Sequence, residues 1–470
     1  MAATDDKTNF YVMDAAIDSL ADNINGGTMY TGNGQTYVDG RPAETYSNVD
    51  AVSLGGSEYT LENKDNGGWG TTDVDDQICW DTAGTVEFVR VLELDYGSDS
   101  DVIRVYAVSD ATITVATGKS VYVGGAWKTI DFPCGMVDNT WTNAAGDPIT
   151  IWVKGGAYNE LATLGSAATG TSPITLEGYD ATEGDGFLSA FADLPKMDGG
   201  GSIAAGIKSN LGNAYWLFKN IWVNDSTQDG FDMNGGSNFI QFIHIKSSNN
   251  GAFGIYANDH FSVLFSEISG NASHGISGDY DVGVLCSEIY GNGGHGADIN
   301  TGLVFNNIIR DNTSSNIFSL VPEIWALCNT IDGVYADNNS SIGINISNGT
   351  TPATSVVMYN IVHDCNIALS ASVETPLYSS FYNQWDNNNS ANVNWIEGKG
   401  DIGRGSVTVT GEYENLAGND YQPTAVSPAN GAAGPTTMPA GLTTTNRAVG
   451  AAEPATASGT TVIVSHRKVR

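Results

Sequence analysis

The sequence predicts an all-β fold in which the chain winds into a right-handed parallel β-helix. The first observation is a column of isoleucines whose spacing runs from 19 residues, between Ile289 and Ile308, to 30 residues, between Ile331 and Ile361. Self-similarity at such a period is typical of a solenoid. The second observation is that the intervening segments are short apolar runs separated by Gly, Asn, Asp and Ser, which favour strands and turns. The column consists of Ile221, Ile245, Ile268, Ile289, Ile308, Ile331 and Ile361.

Strand alternation assigns a direction to the neighbours of each isoleucine. Apolar residues also occur three and five positions before it, and we expect these to face the interior. The residue four positions before should then face outward, and it is apolar in every coil except at Gln241. This predicted outward stripe is a candidate interface, unless a bend turns it inward or loops cover it. Its members are Leu217, Leu264, Leu285, Val304, Leu327 and Val357.

The remaining segments indicate three regions. Residues 1–124 are expected to form an N-terminal helix and a β-rich attachment domain, because Val12, Ala16, Leu20 and Ile24 follow helical spacing and short alternating runs come after them. Residues 125–400 are expected to form the β-helix, and residues 401–470 a C-terminal cap and tail.

The charge of the chain excludes some partners. Fifty-three acidic residues oppose 19 basic ones, for a formal net charge of −34. Such a surface repels nucleic acid and anionic membranes, and no apolar run is long enough to span a bilayer. Residues 465–470, SHRKVR, reverse the sign, and this basic tail could dock on an acidic partner or simply be solvated.

No motif predicts a cofactor or a metal. The five cysteines show no CxxC or Cys/His metal spacing, and Cys286 and Cys328 are expected to be buried thiols two coils apart in the inward column. The acidic runs at 73–77 and 95–101 lack the glycine and the distal Glu of a calcium loop, so they are interpreted as turns.

Two segments resemble right-handed parallel β-helix proteins of the pectate-lyase-like superfamily. The first is WKTI at Trp127–Ile130 followed by GDPITIWVKGGAYNE at 146–160, with Ile149, Ile151 and Val153 as a first inward strand. The second is the closing DYQPTAVSPA at 420–429 with AVGAAE at 448–453, where Arg447–Ala448 departs from the usual Asp. The resemblance covers about residues 125–455. It implies the fold, and its members include polysaccharide lyases and hydrolases as well as phage spikes, fibres and capsid-associated proteins.

One carboxylate pair offers catalytic chemistry. Glu267 and Glu288 should stack on adjacent coils roughly 5 Å apart, the separation that retaining glycosidases use, with His244 one coil earlier. The alternative is a solvated ladder of polar side chains. A lyase mechanism is disfavoured because Lys246 and Arg310 are the only cations between residues 220 and 393.

Three functions remain open. The favoured one is a trimeric structural virion protein of a bacteriophage, a fibre, spike or capsid decoration located on the virion. It would attach to other virion proteins through its N-terminal region and basic tail, with a host surface glycan as a further ligand. The alternatives are a polysaccharide depolymerase of glycoside hydrolase type and a glycan-binding adhesin without turnover.

Overall fold

A computed structural model describes residues 9–13, 44–137 and 148–393, with short gaps inside the last two ranges, together with 402–403, 413–415 and 420–423. The longest internal gaps are 181–190, 334–340, 348–354 and 372–377. The chain folds into two compact units, one comprising Met1–Asp198 and Leu211–Ile221, the other Gly199–Asn210 and Trp222–Arg470.

The first unit contains a barrel and the opening strands of a solenoid. In chain order the first strands are β1 (Asn9–Val12), β2 (Glu44–Gly55), β3 (Glu58–Asn63), β4 (Gln77–Thr82), β5 (Thr85–Glu93), β6 (Val102–Ala107), β7 (Lys119–Val123), β8 (Ile149–Lys154), β9 (Ala157–Tyr158), β10 (Ala162–Leu164), β11 (Ile174–Tyr179), β12 (Lys196–Asp198), β13 (Ile207–Ser209) and β14 (Trp216–Lys219), of which β13 belongs to the second unit. A helix, α1 (Asp131–Met136), and 3-10 turns at Tyr96–Ser98 and Phe191–Asp193 complete it.

Strands β2 to β7 close into an antiparallel barrel in the order β2-β3-β6-β5-β4-β7. The alternating runs explain this, because every second residue of β3 and β6 is buried and the others are partly exposed. Gly55, the last residue of β2, and Gly56 directly after it adopt positive φ, which a tight hairpin needs. The barrel core includes Leu61, Trp80 and Val105.

The N-terminal segment begins as a strand. Strand β1 pairs in parallel with β8, and Val12 is fully buried opposite Val153. The predicted helix is therefore wrong at Val12, because its apolar side chain packs into the first coil of the solenoid. The other helix positions, Ala16, Leu20 and Ile24, lie outside the described residues.

The first coil confirms the inward strand and explains the motif before it. Ile149, Ile151 and Val153 are all fully buried, as expected. The Trp127 ring stacks on Phe10 with centroids 5.3 Å apart. Glu160 accepts the backbone amides of Ile130 and Asp131 at 2.7 and 3.1 Å, which satisfies donors at the start of α1. Strands β1, β8, β11 and β14 run parallel in that order.

The second unit is the main parallel β-helix. Its further strands are β15 (Trp222–Asn224), β16 (Phe231–Met233), β17 (Ile240–Ile243), β18 (Lys246–Ser248), β19 (Ile255–Ala257), β20 (Phe261–Leu264), β21 (Glu267–Ser269), β22 (Ile276–Gly278), β23 (Val282–Leu285), β24 (Glu288–Tyr290), β25 (Ala297–Ile299), β26 (Thr301–Phe305), β27 (Ile308–Arg310), β28 (Ser315–Ser319), β29 (Glu323–Leu327), β30 (Thr330–Asp332), β31 (Ile342–Ile346), β32 (Ser355–Met358), β33 (Ile361–His363), β34 (Ile367–Ala371), β35 (Tyr378–Phe381), β36 (Gln384–Asp386), β37 (Ser390–Val393), β38 (Ile402–Gly403), β39 (Tyr413–Asn415) and β40 (Asp420–Pro423). Strands β39 and β40 form a small antiparallel pair.

Each coil adds one strand to each of three parallel sheets, which confirms the predicted all-β solenoid. Sheet 1 has the order β17-β20-β23-β26-β29-β32-β35, sheet 2 runs from β15 through β18, β21, β24, β27, β30, β33 and β36 to β38, and sheet 3 from β13 through β16, β19, β22, β25, β28, β31 and β34 to β37. Among the described residues, no helix is long and apolar enough to cross a membrane.

In each coil a residue with positive φ turns the chain from sheet 1 into sheet 2. Counted from this corner residue, the isoleucines of the predicted column do not all occupy the same position. Ile245 directly follows such a residue, His244, whereas Ile268 comes three residues after its counterpart, Phe265. Ile268, Ile289 and Ile331 do share one inward column, but Ile309 and Val362 complete it. Ile308 and Ile361 precede those two by one residue and occupy the opposite face of the strand.

Buried polar ladders fill the two corners beside sheet 2. Each ladder side chain accepts the backbone amide of the equivalent residue one coil earlier. Where two asparagines follow each other, the first also donates its side-chain amide to the second, so these donors are satisfied without water. The corner between sheets 1 and 2 contains Ser266, Ser287, Asn307, Asn329, Asn360 and Asn383. The corner between sheets 2 and 3 contains Asn250, Asn271, Asn292 and Asn312.

All five cysteines are buried thiols, which confirms the expectation for Cys286 and Cys328. Cys286 and Cys328 lie at the corner between sheets 1 and 2 with positive φ, not in the inward column. The coil between them contributes Asn306 at the equivalent corner position, and the Asn306 amide donates to Cys286 Sγ at 3.4 Å.

Candidate functional site

The predicted carboxylate pair lies on the outer face of sheet 2. Glu267 and Glu288 are direct neighbours on β21 and β24, so the prediction that they stack on adjacent coils is confirmed. Lys246 occupies the same position one coil earlier. His244 does not join them, because it lies in the corner two residues before Lys246 and is only 3 % exposed. The prediction that His244 continues this column is therefore wrong.

A cation sits beside each carboxylate. Lys246 Nζ lies 3.0 Å from Glu267 Oε1, and an Arg310 nitrogen lies 2.9 Å from Glu288 Oε1. The Arg310 guanidinium also reaches Asp311 at 2.8 Å. The two neighbouring carboxylates are therefore flanked by Lys246 on one side and Arg310 on the other, which offsets the repulsion between the two glutamates.

Tyr290 adds a further partner to Glu267. Its hydroxyl donates to Glu267 Oε1 at 2.8 Å, and its ring lies under the Arg310 guanidinium at 4.1 Å. Burial, followed by the neighbouring Glu267 carboxylate, raises the pKa of Tyr290 to about 12, so the phenol stays protonated at physiological pH. Glu267 is thus held by an ammonium and a hydroxyl, an arrangement suited to fixing its position more than to transferring a proton.

Small residues create a notch between two aromatic side chains on this face. It encloses about 300 Å³ and is lined by Trp222, Lys246, Ser248, Asn249, Glu267, Ser269, Gly270, Tyr290 and Gly291. Ser248 and Ser269 lie on the two coils between Trp222 and Tyr290, so the backbones of the two aromatic residues are about three coil spacings, or roughly 14 Å, apart along the solenoid. The Trp222 indole donates to Ser248 at 2.9 Å and lies 4.8 Å from the Lys246 ammonium.

Two groups in the described part of the chain have the residue types of a metal site. In the first, His274, His295 and Asp298, both imidazoles use Nδ1 to accept a backbone amide, from His295 at 2.8 Å and Ser315 at 3.1 Å. A neutral imidazole that accepts at Nδ1 carries its proton on Nε2, so the outer nitrogens are donors and cannot ligate a metal in this arrangement.

The second group is Asp332, His363 and Asp364. His363 is fully buried, with Nδ1 3.3 Å from an Asp332 oxygen and 3.2 Å from an Asp364 oxygen. The Nδ1 atom of His363 is thus directed at oxygens of two carboxylates. Sequence reasoning predicted neither group. The repeated His-Gly at 274–275 and 295–296, one coil apart, was the signal that could have indicated the first.

The predicted outward stripe is partly correct. Leu217, Leu264 and Leu285 are half-buried on the outer side, and Leu327 has the outward register but is 4 % exposed. Val304 and Val357 are fully buried, so their predicted outward direction is wrong. Val304 and Val357 lie four residues before Ile308 and Ile361. Those two isoleucines are one residue out of register with the inward column, and a slip of one residue reverses the face of a strand.

The register identifies a different continuous set on the outer face of sheet 1, here called the outer apolar column. Its members pair in sequence across six consecutive coils and all are apolar. Phe265 and Trp325 flank it and are 40 % and 44 % exposed. The column consists of Ile243, Leu264, Leu285, Phe305, Leu327 and Met358.

No protein-family model and no curated protein matches the sequence. Three solved structures are similar at low identity. Pectate lyase Pel9A has a TM-score of 0.42 at 11 % identity, covering 71 % of this chain and 92 % of its own. The A-module of mannuronan C-5 epimerase AlgE4 from Azotobacter vinelandii has 0.27 at 13 %, covering 56 % and 85 %. The catalytic domain of a GH87 alpha-1,3-glucanase has 0.25 at 10 %, covering 73 % and 84 %.

Proposed function

We propose that this β-helix protein binds a neutral glycan in the notch on sheet 2 and does not cleave it. The observation that supports the proposal is the pair of aromatic side chains, Trp222 and Tyr290, at the two ends of the polar notch. Aromatic rings pack against the apolar faces of sugars, while hydroxyls and carboxylates between them bind sugar hydroxyl groups. The notch follows the solenoid axis, so an extended glycan chain can lie across successive coils.

The charge of the site favours a neutral ligand. Lys246 and Arg310 are each paired with a glutamate, so neither offers an uncompensated positive charge to a uronate. The net charge of −34 further opposes a polyanion.

The same pairing argues against turnover by Glu267 and Glu288. A retaining glycosidase needs one carboxylate as nucleophile and one as acid, whereas here each carboxylate is neutralised by a cation. The depolymerase alternative would be supported if reducing ends appeared on incubation with a bound glycan and were lost in Glu288→Gln.

The binding proposal is tested with a panel of neutral oligosaccharides and polysaccharides. Trp222→Ala should weaken binding at least tenfold, while Trp325→Ala, which removes the same ring from the outer face of sheet 1, should leave it unchanged. Equal affinity in the wild type and Trp222→Ala would sink the notch as the binding site.

A second proposal concerns assembly. The outer apolar column is continuous over six coils, and covering it with further copies of this chain would remove its apolar surface from water. We propose a homotrimer, the state that suits a structural fibre, spike or decoration protein of a bacteriophage virion. The N-terminal region and the basic tail, whose residues 465–470 lie outside the described part, would contact other virion proteins. Peptides of this chain in purified virions would support this location, and their absence from such particles would contradict it.

A further inference from the structure

We propose that the corner between sheets 2 and 3 is a second binding site, for a neutral ligand bearing adjacent hydroxyl groups. It is formed by the imidazoles of His274 and His295 and the carboxyl group of Asp298. We call it the histidine corner. It lies on different strands from the notch, and the argument for it does not depend on the notch.

The backbone fixes the direction of each imidazole proton. His274 Nδ1 accepts the amide of His295 at 2.8 Å, and His295 Nδ1 accepts the amide of Ser315 at 3.1 Å. The proton of each neutral ring is therefore on Nε2. Two consecutive coils thus carry fixed N–H donors on the outer side, with no rotational freedom to lose on binding.

The rings are also neutral at physiological pH. Burial, with His274 as a further cause, lowers the pKa of His295 to about 4, and burial lowers the pKa of His274. The donors therefore attract no anion by charge. The nearby carboxylates of Asp298 and Asp279 would repel one, which excludes a phosphate or a uronate as the natural ligand.

Asp298 supplies the hydrogen-bond acceptor for a ligand hydroxyl group. Its Oδ2 lies 3.7 Å from His274 Nε2, beyond the roughly 3.2 Å of a hydrogen bond, so the two groups converge without bonding each other. A hydroxyl placed between them can accept from the Nε2–H and donate to the carboxylate. The ligand atoms of His274, His295 and Asp298 all lie within 4.8 Å of one another, close enough to contact a vicinal diol.

Aromatic stacking holds the donors in place and supplies an apolar border. The His274 and His295 rings stack at 4.6 Å, and Phe318 stacks on His295 at 4.3 Å with an interplanar angle of 3°. Phe253 covers the other end, 5.2 Å from His274. A row of polar edges bounded by phenyl rings matches a sugar, which has hydroxyl groups at its rim and C–H groups on its faces.

Substituting His295 by asparagine or by glutamine separates its two roles, the inner acceptor at Nδ1 and the outer donor at Nε2. In His295→Asn the side-chain oxygen can take the position of Nδ1 and accept the Ser315 amide, while the outer donor is lost. In His295→Gln the terminal amide can take the position of Nε2, while the inner acceptor is lost. Because the inner bond lies at a buried corner, we expect Gln to lower stability and Asn to retain it.

The experiment measures binding of hexaoses of glucose with α-1,4, β-1,4 and β-1,3 linkages by calorimetry. The Trp222→Ala background, in which the notch is disabled, isolates the histidine corner, and its own result reports on the notch. We expect millimolar or tighter binding of at least one hexaose. His295→Asn and Asp298→Ala should each weaken it at least fivefold, with an unfolding midpoint that is unchanged in His295→Asn and not lowered in Asp298→Ala.

Long-range ¹H–¹⁵N spectra of the histidines provide an independent readout. They should show Nε2–H tautomers in the wild type at pH 7 and a shift of the Nε2 resonances on hexaose addition. Failure of every hexaose to bind, binding that survives both variants, or Nδ1–H tautomers in the unliganded protein would each overturn the proposal. Stoichiometric Zn²⁺ binding that is lost in His295→Asn would also overturn it in favour of a metal site.

Discussion

The side-chain amide of Asn271 donates to Oδ1 of Asn292 at 2.9 Å, and that same oxygen accepts the Asn271 backbone amide at 3.1 Å. Asn292 passes the pattern on to Asn312 at 2.8 Å. The Asn292 side chain therefore accepts hydrogen bonds from both the backbone and the side-chain amide of Asn271, and it donates to Asn312 on the next coil. Since coils interact mainly with their neighbours, such a ladder couples them along the solenoid.

Asn292→Ala should lower the free energy of unfolding by about 3 kcal/mol, because it leaves the buried Asn271 donors without their acceptor. Chemical denaturation measures the loss, and hydrogen exchange of the Asn271 amide should accelerate more than that of amides several coils away. Gln228→Ala, at an exposed residue of the same corner, is the control and should change stability by less than about 0.5 kcal/mol. Equal effects of the two substitutions would contradict the ladder.

Glu267→Gln tests the pairing on sheet 2. The substitution removes the charge that opposes ionisation of Tyr290, so the pKa of Tyr290 should fall from about 12. It should stay above the ordinary 10, since burial is the first cause of the shift. Ultraviolet titration of the phenolate, with Tyr290→Phe as the reference that identifies this residue among the tyrosines, makes the measurement. An unchanged titration would show that the two side chains do not interact in solution.

The solenoid could be predicted from sequence because its period and its alternating strands leave a visible pattern. The register, meaning which residues align on successive coils, could not be predicted. Isoleucine occupies either of two inward positions after the corner residue, as Ile245 and Ile268 show. A shift of two residues keeps the inward face, so hydrophobicity cannot detect it. That shift placed His244 in the column of Glu267, where the structure has Lys246. The positive φ of the corner residue, which sets the register, falls on Phe, Cys, Asn, His and Tyr alike and has no residue signature.

The candidate sites depended on the register in the same way. The Glu267–Glu288 pair was predictable because both residues share one frame. The histidine corner was not, since its function rests on which imidazole nitrogen meets a backbone amide. That is a property of rotamers and coil stacking, which composition and spacing do not contain.

Leu264→Lys and Leu285→Lys together should dissociate the proposed homotrimer. Each places an ammonium in the middle of the outer apolar column, where covering it without a partner would cost several kcal/mol. Size-exclusion chromatography with light scattering should give about three times the 49.3 kDa chain mass for the wild type and one chain mass for the double variant. Gln241→Lys, at an exposed position of the same sheet, should remain trimeric. A monomeric wild type at micromolar concentration would remove the assembly proposal.

Asp298 and His295 should impose opposite pH dependences on stability. Burial, with the Asp279 carboxylate as a further cause, raises the pKa of Asp298 to about 6 from 3.8, whereas the pKa of His295 is lowered to about 4 from 6.5. The folded state therefore binds more protons at Asp298 and fewer at His295 than the unfolded state does. Stability from Asp298 is full below pH 3.8 and is lost as the pH rises through 6. Stability from His295 is full above pH 6.5 and is lost as the pH falls through 4.

Two variants separate these contributions. Asp298→Asn cannot ionise, so its free energy of unfolding relative to the wild type should rise between pH 4 and 6 and level off above 7. His295→Asn cannot gain a proton, so its relative stability should rise in the other direction, as the pH falls from 6.5 to 4. The groups that face Asp298 are His274, His295 and Asp279, and all remain in Asp298→Asn except the titrating carboxyl itself. Parallel pH profiles for the two variants, measured by denaturation at constant ionic strength, would contradict this assignment, because a general effect of net charge would move both variants in the same sense.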